Sequence, residues 1–311
     1  MKLVICEFMD GASVDRLAAQ FDTLYDPTLV DRRTELLAAL ADADGLIVRN
    51  RTQVDRALLE APSRLRVVGR LGVGLDNIDV PACEARQIAV IPATGANARA
   101  VAEYVIGTAM ALLRRAYTRS ADTAAGTWPR AALSNGCEIA GKTLGLIGFG
   151  GIGQLTARLA QSLDMKVIAH DPLIAADAPV WKNTKVTPSK LDALLAQADI
   201  VSLHVPLTEQ TRHLIDQNAL AQMQAHAILI NTARGGIVDE IALGNALRSG
   251  QLGGAAIDVF THEPLAAGSA LSDAPNLILT PHIAGVTTES NVRVSALIAE
   301  RVAAQLNVQL K

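Results

Sequence analysis

The sequence predicts an α/β protein of two domains built on parallel sheets. Three observations carry this reading. Short β-branched runs alternate with Ala/Leu-rich helical segments along the whole chain, the pattern of strand–helix–strand units. The chain has 311 residues and half of them are apolar, more than one domain usually needs. A glycine-rich turn, "GFGGIG" at 148–153, follows one strand-like run and opens a helical one, as a doubly wound unit requires.

The early strands are expected at "KLVIC" (2–6), "GLIV" (45–48), "RVVG" (66–69) and "IAVI" (88–91). A helix is expected over about 98–115, with Asn97 as its cap. A second strand series follows at "TLGLIG" (143–148), "KVIAH" (166–170), "DIVSLH" (199–204), "AILIN" (227–231), "GAAID" (254–258) and "NLILT" (276–280). Between these strands, Ser189 with Asp192 reads as a capping box, and Gly250 as the stop of the helix ending "ALRS". The last segment, "TTESNVRVSALIAERVAAQL", is amphipathic and no strand follows it. One doubly wound unit therefore spans 98–285. Residues 1–97 and 286–311 are left to form a second domain from both chain ends. Binding clefts commonly form where such domains join.

The net charge of −3 gives no basis for a nucleic-acid or membrane-surface partner. Cys6, Cys83 and Cys137 are far apart and form no CxxC, which fits reduced thiols in a cytoplasm. The start, "MKLVICEF", carries one Lys and an apolar run broken by Glu7, so no signal peptide is expected. No apolar stretch is long enough to span a bilayer, and no metal site is expected.

Gly148, Gly150 and Gly153 stand in GxGxxG spacing, with Gly151 and Ile152 between them. The first glycine permits a tight turn, the second lets the backbone approach a pyrophosphate, and the third lets helix and strand pack closely. The helix N-terminus then faces the phosphates. The next strand ends in Asp171, at the distance where an acid meets the ribose hydroxyls of NAD. No Arg or Lys follows it closely to hold the extra phosphate of NADP. The cofactor expected is NAD on a Rossmann unit.

In an open parallel sheet, ligands sit beyond the carboxyl ends of the strands. Arg234 follows "AILINTA", Glu263 follows "GAAIDVFTH", and His282 follows "NLILTP". Singly, each has a dull explanation: a surface ion pair, a loop acid, a satisfied histidine. Together they match what hydride transfer from a 2-hydroxy acid needs. Arg holds a carboxylate in a bidentate fork. His accepts the hydroxyl proton. A carboxylate on the other ring nitrogen fixes the tautomer and stabilises the charged imidazole.

On these residues the chain resembles the D-isomer-specific 2-hydroxyacid dehydrogenases along its whole length. The motifs are "GRLGVGLDNIDV" (69–80), "NARAVAEY" (97–104), "GKTLGLIGFGGIG" (141–153), "HDP" (170–172), "SLHVPLTEQTRHLI" (202–215), "NTARGGIVDE" (231–240), "AIDVFTHEPL" (256–265) and "TPHIAG" (280–285). The resemblance implies a Rossmann NAD-binding domain (98–285) inserted into a flavodoxin-like substrate-binding domain (1–97 and 286–311), and a homodimer paired through the NAD-binding domains. It implies Arg234, Glu263 and His282 as the catalytic set. The amides of Val73 and Gly74 would meet the substrate carboxylate, and Asn97 would sit near the substrate. Thr232, Ala233 and Asp258 would line the nicotinamide side, Pro206 the adenosine side, and Ala284 and Gly285 the nicotinamide ribose. His262 departs from the acid many relatives carry and is read as neutral. His204 and His213 are read as structural.

The segments "EFMDGASVDRLA", "YDPTLVDRR", "VRNRTQVDR", "TWPR" and "HIAGVTTESN" look most like the (S)-3-sulfolactate dehydrogenases, and among family members the 3-phosphoglycerate dehydrogenases stand beside them in likeness. The chain ends soon after the terminal helix, so no C-terminal regulatory domain is expected. In the phosphoglycerate enzymes the positions of Arg49 and Arg70 help bind the distal phosphate. Arg130 matches a residue that can reach the site from a partner subunit. Arg51 is an addition in this sequence. So many cations imply a second strong anion on the third carbon of the substrate, sulfonate or phosphate. A D-specific site suits both, because sulfur outranks the carboxyl group and (S)-sulfolactate has the spatial arrangement of D-3-phosphoglycerate. The alternative for the loop is plain solvation.

The rival enzyme is a hydroxypyruvate or glyoxylate reductase (a D-glycerate dehydrogenase), commonly NADP-preferring, against which Asp171 speaks. A formate dehydrogenase is disfavoured because Glu263 stands where that branch carries an amide. The rival of another class is an NADH-sensing, corepressor-like binding protein, which keeps the same fold.

Overall fold

The computed structural model describes residues 1–308. The last three residues of the 286–311 segment lie outside the described residues. The chain divides into two compact units, Met1–Asn97 with the segment from Val286 onward, and Ala98–Gly285.

The first unit holds five strands: β1 (Lys2–Ile5), β2 (Asp22–Tyr25), β3 (Gly45–Val48), β4 (Val67–Arg70) and β5 (Ala89–Pro92). They form one parallel sheet in the order β2-β1-β3-β4-β5, the flavodoxin-like order. All four residues of β3 are buried, which is why it reads as a continuous apolar run. The terminal helix, Thr288–Val308, lies on this sheet. A Cβ at Gly69 would stand 2.7 Å from Val302 and 2.9 Å from Ile298. That strand glycine is the groove into which the helix fits. Leu3, Ile5, Ile47, Ile298, Val302 and Leu306 are fully buried there, each contributing roughly 1.5–3 kcal/mol. The edge strand β2 departs from the sequence expectation. Its residues "DTLY" are half exposed and polar at two of four positions, so no apolar run marks it.

The second unit holds β6 (Thr143–Ile147), β7 (Lys166–His170), β8 (Thr187–Pro188), β9 (Ile200–Leu203), β10 (Ile228–Asn231), β11 (Gly254–Ile257) and β12 (Leu277–Leu279). The order is β12-β11-β10-β9-β6-β7-β8, all pairs parallel. This is the doubly wound Rossmann order with one strand added, and it reverses between β6 and β9. One face is covered by the helices Ala98–Arg114 and Gly151–Gln161, the other by Leu191–Gln197, Gln217–Gln222 and Glu240–Ser249.

Gly250 ends its helix in the left-handed region, φ 74°, as expected of a helix stop. Two expected caps are not made. Ser189 donates its amide to Ala169 O and its hydroxyl to Lys190 O, so it prolongs the β7–β8 pairing. The next helix begins at Leu191 with Lys190 in the cap position. The side-chain oxygen of Asn97 makes no hydrogen bond. Between 115 and 137 the chain forms the short helices Ala116–Arg119, Ser120–Ala124 and Arg130–Leu133, none with a buried residue. Among the described residues, no helix is long and apolar enough to cross a membrane.

Candidate active site

The glycine turn follows β6. Gly148 has φ +94°, and a Cβ there would lie 2.5 Å from the carbonyl oxygen of His204. Only glycine allows that approach. A Cβ on Gly153 would lie 2.5 Å from Gly148 O, so the third glycine is fixed by packing against the turn itself. At Gly150 and Gly151 an added Cβ meets nothing within 4 Å. The helix starting at Gly151 has no side-chain cap, which leaves its first amides directed into that open space. Asp171 directly follows β7 with both oxygens held: Phe149 N–H donates to Oδ2 at 2.8 Å and Leu173 N–H to Oδ1 at 3.0 Å. An uncapped helix start over an open cradle, with a backbone-held carboxylate beside it, fits a dinucleotide with a free ribose diol. Pro206 lies exposed in the loop after β9, where its carbonyl accepts from the Thr211 hydroxyl.

The loops after β10, β11 and β12 carry the three reactive side chains. Asn231, 1 % exposed, closes the first loop. Its Oδ1 accepts from Ala233 N–H and its Nδ2 donates to Arg234 O. A Cβ at Gly235 would stand 1.8 Å from Phe260 O, so a glycine here lets the Arg234 loop touch the loop that carries Glu263. Arg234 is half-buried and donates from Nη1 to Ala233 O. Thr232 Oγ1 is buried with no partner.

Glu263 and His282 meet directly. Glu263 Oε1 accepts from Phe260 N–H at 3.0 Å, and Oε2 lies 2.8 Å from His282 Nδ1. An ionised carboxylate only accepts, so Nδ1 carries the proton and Nε2 is left as the basic nitrogen. His282 has φ +57°, uncommon for a residue with a Cβ. Asp258, 1 % exposed, holds it there. His282 N–H donates to Asp258 O at 2.8 Å. The Asp258 carboxylate accepts from Ile283 N–H, Ala284 N–H and the Thr280 hydroxyl. The family resemblance implies Asp258 and Ala284 on the cofactor side. In the structure their polar groups bind each other. Asn231, Tyr104 and Thr280 were missed, since only spatial neighbours reveal them.

His204 follows β9, with its Nε2 3.0 Å from the Ser202 hydroxyl. Burial pushes its pKa down to about 4, so the imidazole is neutral near pH 7. His262 and His213 are exposed, and Gly285 is half-buried at the end of the unit. Arg130 is exposed on its short helix.

In the first unit, Arg49 follows β3. Its guanidinium donates from Nη2 to Asn291 Oδ1 at 2.8 Å and lies 5.7 Å from the centre of the Phe8 ring. Arg70 ends β4 with its guanidinium over Gly72, where a Cβ would be 1.3 Å from Nη1. The amides of Val73 and Gly74 make no hydrogen bond among the described residues. Arg51, expected beside the distal anion, is engaged elsewhere in the structure. It is 59 % exposed and pairs through both nitrogens with Asp31, so its charge is already matched on the surface.

Residues 106–284 match the family model of the D-isomer specific 2-hydroxyacid dehydrogenase, NAD binding domain. The chain is 54% identical over 307 residues to an (S)-sulfolactate dehydrogenase of Chromohalobacter salexigens, covering 99% of both chains. It is 41% identical over 270 residues to a D-3-phosphoglycerate dehydrogenase of Mycobacterium leprae, covering 87% of this chain and 50% of that one. The fold superposes with TM-score 0.83 on D-lactate dehydrogenase from Aquifex aeolicus complexed with NAD and lactic acid, at 27% identity over 100% of this chain and 96% of the other.

Proposed function

Because the chain belongs to the D-isomer specific 2-hydroxyacid dehydrogenase family, we propose that it oxidises, with NAD, a D-configured 2-hydroxy acid carrying a second anion on its third carbon. (S)-3-Sulfolactate is the first choice and D-3-phosphoglycerate the second. The observation that carries the reading is the pairing of Glu263 Oε2 with His282 Nδ1 at 2.8 Å, in the region matching the NAD-binding family model.

NAD supplies the hydride acceptor. The remaining work falls to side chains of this protein. As the C2 hydrogen leaves with its electron pair, the hydroxyl proton passes to His282 Nε2 and a 2-keto acid results. Glu263 balances the imidazolium charge and keeps the ring in one tautomer. Arg234 clamps the carboxylate and polarises the C2 oxygen. Val73 and Gly74 offer amides to the carboxylate. Thr232 and Ala233 line the nicotinamide, and Asn97 offers the substrate an unused side-chain oxygen. Arg49 and Arg70 take the distal anion. Likeness to the sulfolactate enzyme over nearly the full length of both chains supports the sulfonate. A homodimer through the NAD-binding domains belongs to the same reading, supported by Tyr117 and Trp128, 71 % and 72 % exposed. So does a cytoplasmic setting, supported by three free cysteines.

The test is initial rates with NAD on (S)-sulfolactate, D-3-phosphoglycerate, D-glycerate and D-lactate. The expected result is turnover dominated by sulfolactate. Equal turnover of lactate or glycerate would refute the distal-anion reading.

A further inference from the structure

Two arginines leave the same loop after β3 and meet opposite fates. Arg51 is held by a carboxylate, Asp31. Arg49 is bonded by a neutral amide, Asn291 Oδ1, and stacked by the face of Phe8, while the Glu7 carboxylate beneath it is near enough to act on its charge but accepts from backbone N–H groups only. A carboxylate partner cancels a guanidinium's charge toward a third ion. An amide oxygen orients the same fork and leaves the charge available. Asn291 occupies one of five N–H donors.

The backbone beneath Arg49 is fixed just as specifically. Glu7 lies beyond β1, 4 % exposed. Its Oε1 accepts from Arg49 N–H at 2.8 Å and Thr52 N–H at 3.0 Å, and its Oε2 from Arg51 N–H at 3.2 Å. From the other side, Asn77 Nδ2 donates to the carbonyls of Arg49 and Thr52. A buried carboxylate is costly unless its lone pairs are filled, and here three backbone donors fill them.

We propose that Asn291 and Glu7 are positioning residues that set head-group selectivity. Asn291 aims Arg49 without neutralising it, and Glu7 locks the loop that carries it. This rests on the reading that Arg49 meets the distal anion of the substrate.

The decisive variant is Asn291→Asp. It keeps the size and the acceptor oxygen and adds one negative charge. If Asn291 serves only to hold the fold, a carboxylate on Arg49 is harmless or better. If it preserves the charge of Arg49, the ratio of kcat/KM for (S)-sulfolactate over D-lactate falls at least about tenfold, through the KM for sulfolactate rather than kcat. Glu7→Gln is the second variant. Its amide nitrogen replaces one acceptor, so one of the backbone donors faces another donor and the loop is no longer locked. The change also removes a negative charge that acts on Arg49, so the expected fall in the ratio reports the lost positioning and not the charge. Arg49→Ala separates the two ideas. Should it leave the ratio intact, the distal-anion reading fails and this inference falls with it. Should Arg49→Ala collapse the ratio while Asn291→Asp and Glu7→Gln both keep it, the reading stands and the inference alone is overturned. Arg51→Ala is expected to keep the ratio, and a collapse there would also overturn it.

Discussion

Tyr104 and Thr280, 176 residues apart in the chain, place their hydroxyl oxygens 2.6 Å from each other. Thr280 has one hydroxyl proton and spends it on Asp258 Oδ1, also at 2.6 Å. Tyr104 is therefore the donor to Thr280. The chain Tyr104 → Thr280 → Asp258 ends on the carboxylate that accepts from Ile283 and Ala284, the two residues that follow the left-handed backbone of His282. Thr280→Val removes the middle of this chain and leaves Tyr104 without its acceptor. We expect kcat to fall about tenfold, with the Kd of NADH changed less than about threefold. Tyr104→Phe keeps the Thr280–Asp258 bond and should cost only a few-fold in kcat. Stopped-flow turnover with fluorescence titration of NADH reads both. Equal losses in the two variants would show that Asp258 does not depend on Thr280.

The acid/base assignment is tested by His282→Asn. Asn tolerates the left-handed region better than most residues, so the backbone survives while the imidazole is lost. Turnover should drop by about 10²–10⁴, with NADH still bound. Glu263→Gln keeps an oxygen for Phe260 N–H but turns a donor toward Nδ1, which favours the opposite tautomer. We expect a smaller loss of kcat and a shifted pH profile. A His282→Asn enzyme with ordinary turnover would end the proposed role.

Much of this architecture was legible before any coordinates, and the rest was hidden for definite reasons. Strands such as "GLIV" and "AILIN" are buried at every position, so their apolar runs are unmistakable. The edge strand β2 is half exposed and carries no such signal. Arg234, Glu263 and His282 could be singled out because each lies in a loop just past a strand whose own signal is strong. Asn231 is the last residue of an apolar strand run, where its loop-closing role is invisible. Glu7, Asn291 and Tyr104 act on partners 42, 242 and 176 residues away, and no local spacing encodes such pairings. Ser189 misled because its serine–acid spacing is local, whereas its fate was decided by the neighbouring strand.

The glycines offer a separable pair of tests. At Gly150, φ is −72° and an added Cβ meets nothing within 4 Å. Gly150→Ala should leave the melting temperature within about 2 °C. Its methyl group would intrude on the cradle, and the Kd of NADH should rise about tenfold or more. At Gly153 the Cβ would press on Gly148 O at 2.5 Å, so Gly153→Ala should destabilise the fold by about 1–3 kcal/mol. Calorimetry and NADH titration distinguish them. Unchanged NADH affinity in Gly150→Ala would remove the cradle from the cofactor site.

His204 sets an acid limit on stability. Burial lowers its folded pKa from 6.5 to about 4. The unfolded chain binds this proton below about pH 6.5, and the folded chain only near pH 4. Stability from this group is therefore complete above pH 6.5, declines as the pH falls toward 4, and changes no further below that. Each unit of pH in the window costs about 1.36 kcal/mol, so about 2 kcal/mol should be lost between pH 7 and pH 5. Partial burial raises the Asp199 carboxyl, but Thr143 N–H, His226 and Lys142 outweigh it and hold it below its ordinary value, so its contribution is lost only at lower pH. Urea unfolding at pH 7 and pH 5 measures the loss. His204→Gln cannot take up the proton in either state, so its stability should change much less between the two pH values. A variant that loses as much as the parent would show that another group controls the acid limb.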